Sequence, residues 1–123
     1  MTRKILIVED NELNLKLFRD LLEAHSFQTV QTRDGNAVVA MVSAERPDLI
    51  LMDIQLPEIS GLELIQQLKR NSKLKKIPII AVTAYAMRED EEKIMASGCE
   101  SYIAKPIAID NFIETINKFV NQV

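Results

Sequence analysis

Five short runs rich in β-branched residues alternate with stretches of helical spacing, and this alternation constrains the chain more than any other feature. The runs are Lys4 to Val8, Phe27 to Gln31, Leu49 to Met52, Ile77 to Val82 and Ser101 to Ala104. The first, third and fourth are apolar almost throughout, as strands covered on both faces must be. The second alternates more and predicts an edge strand, and the short fifth run predicts the other edge. A β-α alternation with no leftover segment or repeat predicts an α/β fold, a parallel sheet with right-handed crossovers and helices on both faces.

The helical stretches carry their own punctuation. Leu13, Leu17 and Leu21 repeat every four residues, with Leu15, Phe18 and Leu22 widening the stripe. Asn11 is placed to cap that helix, with Glu12 in its first turn. Asp34-Gly35 marks a turn before Val38, Met41 and Val42. Ser60-Gly61-Leu62-Glu63 has the spacing of a capping box, followed by Leu64, Ile65 and Leu68. Arg88 to Ala96 is polar, and Gly98 suits its C-terminal cap. Phe112, Ile113, Ile116, Phe119 and Val120 give the last helix its apolar face.

At 123 residues, with only three glycines and four prolines, the chain predicts a single folded domain over 1–123 and no further output domain. One cysteine excludes a disulfide framework and a thiolate zinc cluster. The longest uncharged run, Ile77 to Met87, falls short of the roughly 18 apolar residues of a membrane span. The start lacks the apolar core of a secretion signal. These features predict a cytoplasmic protein without membrane insertion. The net charge of −3 argues against a nucleic-acid partner. The basic group Lys69, Arg70, Lys73, Lys75 and Lys76 reads as a solvated loop.

Ligands of a parallel sheet bind beyond the carboxyl ends of its strands. Glu9 and Asp10 follow the first run, Asp53 the third, Thr83 ends the fourth, and Lys105-Pro106 follow the fifth. Each alone has a plain structural reading: Asp10 as a turn former, Thr83 as a cap, Lys105 as a solvated cation. Three carboxylates gathered at one sheet edge are harder to explain, because they repel unless a proton or cation intervenes. Lys105 supplies one positive charge, and a hard divalent cation with oxygen ligands supplies two. This pattern predicts a metal-assisted phosphoryl acceptor. Asp53 is the expected nucleophile. Glu9, Asp10 and Asp53, with the backbone carbonyl of Gln55, are the expected oxygen ligands of Mg²⁺, with Mn²⁺ as a substitute. Lys105 and the Thr83 hydroxyl are expected to hold phosphoryl oxygens.

At these residues the sequence resembles a response-regulator receiver domain, the phospho-acceptor module of two-component signalling. The resemblance rests on Ile7 to Asn11, Asp48 to Pro57, Gly61, Ala81 to Ala84, and Tyr102 to Pro106. It implies a flavodoxin-like, CheY-like doubly wound (βα)5 fold with strand order 2-1-3-4-5. It also implies phosphotransfer from a histidine kinase to Asp53, a cis Lys105-Pro106 bond, and Tyr102 as a switching aromatic partnered with Thr83. Glu12-Leu13-Asn14, Asp53 to Glu63, Thr83 to Met87 and Gly98-Cys99-Glu100 resemble a single-domain branch acting in cell-cycle and cell-division control. The implied partners are a sensor histidine kinase or phosphatase and a downstream kinase or effector, met by a monomer or weak dimer. The chain is expected to catalyse its own phosphorylation without being a turnover enzyme. The alternative within the family is a chemotaxis or other phosphorelay receiver.

Expected surfaces are Asn14, Leu15 and Phe18 with the Pro106-Ile107 loop for a kinase, and the fourth helix with the fifth strand for an effector. Phe18 reads better as core. Gln55 and Tyr85 stand two residues beyond Asp53 and Thr83, near the path of an attacking water. Neither is a good general base, so slow autodephosphorylation is expected. His25 reads as a helix cap, Cys99 as a small semi-buried residue, and Met41, Met52, Met87 and Met95 as packing groups. A haloacid-dehalogenase-type phosphatase would need a second Asp where Gln55 stands. A flavin or dinucleotide domain would need a glycine-rich loop where Glu9-Asp10-Asn11-Glu12 stands. A degenerate receiver would not keep all five site residues.

Overall fold

The computed structural model describes residues 2–84 and 88–120. Five strands, β1 (Lys4–Val8), β2 (Gln28–Thr32), β3 (Leu49–Asp53), β4 (Ile79–Thr83) and β5 (Ser101–Ala104), form one parallel sheet in the order β2-β1-β3-β4-β5. Helices α1 (Glu12–Ala24), α2 (Val38–Glu45), α3 (Gly61–Arg70), α4 (Arg88–Ala96) and α5 (Ile109–Val120) make the crossovers, with a 3₁₀ turn at Gly35–Ala37 leading into α2. This is the parallel sheet with helices on both faces that the alternation predicts, in the doubly wound strand order that the resemblance implies. β3 and β4 are buried along their whole lengths, whereas β2 keeps polar residues outward at one edge.

The sheet separates two hydrophobic cores because alternate strand residues point to opposite faces. Ile50 and Met52 pack with Val38, Val42, Leu64, Ile65, Leu68 and Ile94, from α2, α3 and α4. Leu49 and Leu51 pack with Leu15, Phe18, Leu22, Phe112, Ile116 and Val120, from α1 and α5. Phe18 and Phe112 stack with ring centroids 5.4 Å apart, joining α1 to α5.

Several local expectations hold. Asn11 caps α1 by accepting from the Asn14 N–H at 3.0 Å. His25 closes the same helix, its Nδ1 lying 2.9 Å from the Leu21 carbonyl oxygen. Gly98 sits at φ 107°, a left-handed position that suits glycine. Cys99 is buried and donates to the Ile94 carbonyl, and desolvation pushes its thiol pKa up.

Others need correction. The buried stripe of α1 is Leu15, Phe18 and Leu22, while Leu13 is 79% exposed and Leu17 40%. β2 begins at Gln28, one residue later than expected. The Ser60 hydroxyl oxygen accepts from the Leu62 N–H rather than that of Glu63, which is half of a capping box shifted by one residue. Met95 is exposed and not a packing group, because the inward face of α4 is taken by Ile94. Met87 lies outside the described residues. Lys69 is not solvated: its ammonium donates to the carbonyls of Lys75 and Ile77 and pairs with Glu100 at 2.6 Å. Among the described residues no helix is long and apolar enough to cross a membrane.

Candidate functional site: the carboxyl edge of the sheet

Strand register brings the polar residues together. Val8 lies beside Met52, Asp53 beside Val82, and Thr83 beside Ala104. The residues that end or follow these strands, Glu9, Asp53, Thr83 and Lys105, therefore share one edge. Apolar strands behind them hold the side chains in place, and Asp53 is only 4% exposed. Its Oδ1 accepts from the Gln55 N–H at 2.9 Å, and its Oδ2 lies 3.4 Å from the Lys105 ammonium. Gly61 opens α3 so close to β3 that a side-chain carbon there would collide with the Asp53 carbonyl oxygen. The Gly61 N–H donates to the Ile54 carbonyl at 3.0 Å, which fixes the loop just past Asp53.

Glu9 is the most buried of the group, with 0% exposure. Lys105 Nζ lies 2.9 Å from its Oε1, but that oxygen accepts no aligned hydrogen bond. Desolvation by burial, then a hydrogen bond with the Asp53 carboxyl, push the Glu9 pKa up to about 7. Lys105 works in the other direction without prevailing. Burial and the neighbouring Asp53 carboxyl thus let Glu9 hold a proton up to near neutrality.

Asp10 does not join this contact. It is half-buried at the rim, and its main-chain carbonyl accepts from Arg33 Nε at 3.1 Å. Among the described residues no three carboxylate, histidine or cysteine side chains are closed into a ready-made metal cage. The donor set nevertheless fits a hard divalent cation. It consists of carboxylate oxygens, one of them a buried oxygen without a hydrogen bond, at an edge where, among the described residues, a single ammonium pairs with Glu9 and Asp53.

Thr83 is buried at the end of β4, and its carbonyl accepts from the Lys105 N–H at 2.7 Å. The Lys105-Pro106 bond is cis, as the resemblance implies. Tyr102 is half-buried and its hydroxyl donates to the Glu91 carboxylate of α4, which pushes the phenol pKa up. Tyr85 lies outside the described residues. Leu15 is buried in the α1/α5 core and is no docking residue. The exposed flank of α1 instead borders a cavity of about 360 Å³ lined by Asn14, Leu17, Phe18, Ala84, Lys105, Pro106 and Ile107. Sequence reasoning missed two groups here. Arg33 reaches Asp10 from the end of β2, and Glu91 holds Tyr102 from α4. Both contacts cross between elements, and neither leaves a local sequence trace.

Residues 5–117 match the response regulator receiver domain family. The chain belongs to that family. Two relatives, from Brucella ovis and Brucella melitensis, are each named polar-differentiation response regulator DivK. Each is 56% identical over 120 residues, covering 98% of this chain and 98% of the relative. Among solved structures, the receiver domain of the sensor histidine kinase PA1611 from Pseudomonas aeruginosa PAO1 carries a magnesium ion coordinated in its active-site cleft. It superposes with a TM-score of 0.91 at 28% identity, covering 99% of this chain and 100% of that one. The chemotaxis protein CheY4 of Vibrio cholerae shares the fold with a TM-score of 0.90 at 22% identity, covering 97% and 99%. The receiver family accepts phosphoryl groups, and the carboxyl edge of this sheet is where its polar groups converge.

Proposed function

We propose that Asp53 accepts a phosphoryl group from a phosphohistidine of a sensor kinase. The observation that carries this reading is the nearly buried Asp53 carboxylate at the end of β3, within reach of both Lys105 and the protonatable Glu9. A carboxylate oxygen attacks phosphorus, the phosphorus–nitrogen bond breaks, and its electron pair returns to the imidazole. The product is an acyl phosphate. Glu9, Asp10, Asp53 and the Gln55 carbonyl are the residues to hold Mg²⁺, with Mn²⁺ as a substitute. When bound, the cation supplies charge neutralisation for the phosphoryl oxygens. Lys105 moves its ammonium from Asp53 to a phosphoryl oxygen, and the Thr83 hydroxyl donates to another.

Drawing Thr83 inward leaves space into which Tyr102 turns, which requires it to release Glu91. The α4–β5 face is then the surface an effector or downstream kinase reads. The cavity beside α1, with Asn14, Leu17 and the Pro106-Ile107 loop, is the surface for the kinase or phosphatase. The protein acts in the cytoplasm by protein contact, as a monomer or weak dimer, without nucleic acid. It is a phospho-acceptor, not a turnover enzyme. Likeness to relatives named for polar differentiation supports a role in cell-cycle and cell-division control, ahead of chemotaxis or another phosphorelay.

Incubation with acetyl phosphate and Mg²⁺ tests the assignment by intact mass. One phosphoryl group is expected on the wild type and none on Asp53→Asn or in EDTA. Modification that survives in Asp53→Asn places the acceptor elsewhere. The isolated phosphoprotein is expected to lose its phosphate slowly, since Gln55 is no general base. Rapid loss in Mg²⁺ without a partner would contradict that.

A further inference from the structure

A second polar cavity lies at the opposite end of the sheet, where β3 and β4 begin. It measures about 300 Å³ and is lined by Ser43, Arg46, Asn71, Lys73 and Leu74. Its surroundings are charged in an unusual way for this molecule. Residues 69–76 hold five of the fifteen basic residues and none of the eighteen acidic ones, so this segment is +5 in a chain of net charge −3. Lys69 is consumed by Glu100. Among the described residues no ion pair engages Arg46, Arg70, Lys73, Lys75 or Lys76. The carboxylates that flank Arg46 in sequence are committed elsewhere: Glu45 to Lys4 at 3.5 Å, and Asp48 to Arg3 and the Lys4 N–H.

The donors also converge. Arg46 ends α2 in the left-handed region, at φ 48° and ψ 58°, a conformation that asparagine or glycine adopts more readily than arginine. Its Nη1 donates to the Lys73 carbonyl at 3.2 Å, which holds the guanidinium at the cavity, and among the described residues its other N–H groups have no partner. Asn71 Oδ1 accepts from the Lys73 N–H at 2.9 Å, which leaves the Asn71 amide nitrogen to donate. Ser43 adds a hydroxyl, and buried Leu74 closes the floor. A planar guanidinium fork beside an ammonium, a hydroxyl and an amide is a donor set matched to the several oxygens of a phosphate.

We propose that this cavity binds the phosphate of a small, soluble phosphorylated molecule of about mononucleotide size. The volume sits at the lower end of ligand pockets, which run from about 300 to 1,000 Å³. The remainder of the molecule, at −8, repels an extended polyanion that would lie across it, so a compact ligand suits the site better than a nucleic acid. The site is remote from Asp53 and independent of the phosphoryl chemistry there.

The test is a titration of ¹⁵N-labelled full-length protein with AMP, inorganic phosphate, adenosine, and vesicles of phosphatidylglycerol in phosphatidylcholine. Amide shifts at Ser43, Arg46, Asn71 and Lys73 are expected with AMP, weaker ones with phosphate, and none with adenosine. Arg46→Asn keeps a residue that tolerates the left-handed backbone and is expected to weaken AMP binding about tenfold or more. Lys73→Gln, at an exposed position, gives the same test without touching that turn. Asp53→Asn is expected to bind AMP as the wild type does. Three results would overturn the proposal: no cavity shifts with AMP, cavity shifts that both variants leave unchanged, or shifts confined to the Asp53 edge. Cavity shifts with vesicles alone would overturn a soluble ligand and assign the phosphate to a lipid headgroup.

Discussion

Glu9 concentrates the electrostatics of the site in one side chain. Unfolded, its carboxyl titrates near 4.5, and in the fold burial and the bond to Asp53 push it up to about 7. Between those values the folded protein binds a proton that the unfolded chain has released. The contribution to stability is complete below about 4.5 and fades as pH rises through about 7, at a scale of about 1–3 kcal/mol. Urea denaturation of metal-free protein at pH values across this window is expected to show that decline, and Glu9→Gln is expected to flatten it. Stability that climbs over the same window in the wild type would contradict the assignment. Magnesium competes for the same oxygens, so its apparent affinity is expected to rise with pH, read by titration at several pH values.

Packing between elements sets where these side chains stand. Gly61 is the point where α3 meets β3, and Gly61→Ala would drive a methyl group into the Asp53 main chain. The expected cost is about 2–4 kcal/mol in urea denaturation, with slower acetyl-phosphate labelling of Asp53. Lys69 ties the end of α3 to the loops before β4 and β5, since Glu100 accepts its ammonium and also accepts from the Ile79 N–H at 2.5 Å. Lys69→Met removes the charge partner of that carboxylate and the side-chain donor to two carbonyls, for an expected loss of about 1–3 kcal/mol with the site still able to take phosphate. A change within about 0.5 kcal/mol would return Lys69 to the solvated loop that the sequence suggested.

That misreading has a physical origin. Composition marks residues 69–76 as polar, but the partner of Lys69 sits 31 residues away across the α4–β5 connection, and no local pattern announces it. The α1 stripe failed for a geometric reason. At about 100° per residue, Leu13, Leu17 and Leu21 drift over about 80° of the helix, whereas Leu15, Phe18 and Leu22 stay within an arc of about 60°. The strands were legible because continuous β-branched runs have few other uses, and the site was legible because it hangs on their ends. Asp10 was legible as a position but not as a contact, since its carboxylate stands at the rim while Glu9 turns inward.

For the whole molecule, the sheet acts as a wall between two interiors. Leu64 belongs to one core and Phe112 to the other. Leu64→Ala and Phe112→Leu are expected to destabilise additively, within about 0.5 kcal/mol, because the two side chains belong to separate packed clusters. A double variant that departs further from the sum would show that the strands transmit strain across the wall.

The same sheet ends in two open margins. Among the described residues, β2 and β5 each leave a row of main-chain groups without a neighbouring strand, the usual invitation to polymerise. Here the invitation carries little reward. β2 is five residues long with Gln28 and Gln31 facing solvent, and β5 is only four residues long. An incoming strand would lay ribbon against ribbon and hide almost no oily surface. A molecule with edges like these can thus be crowded without fusing edge to edge.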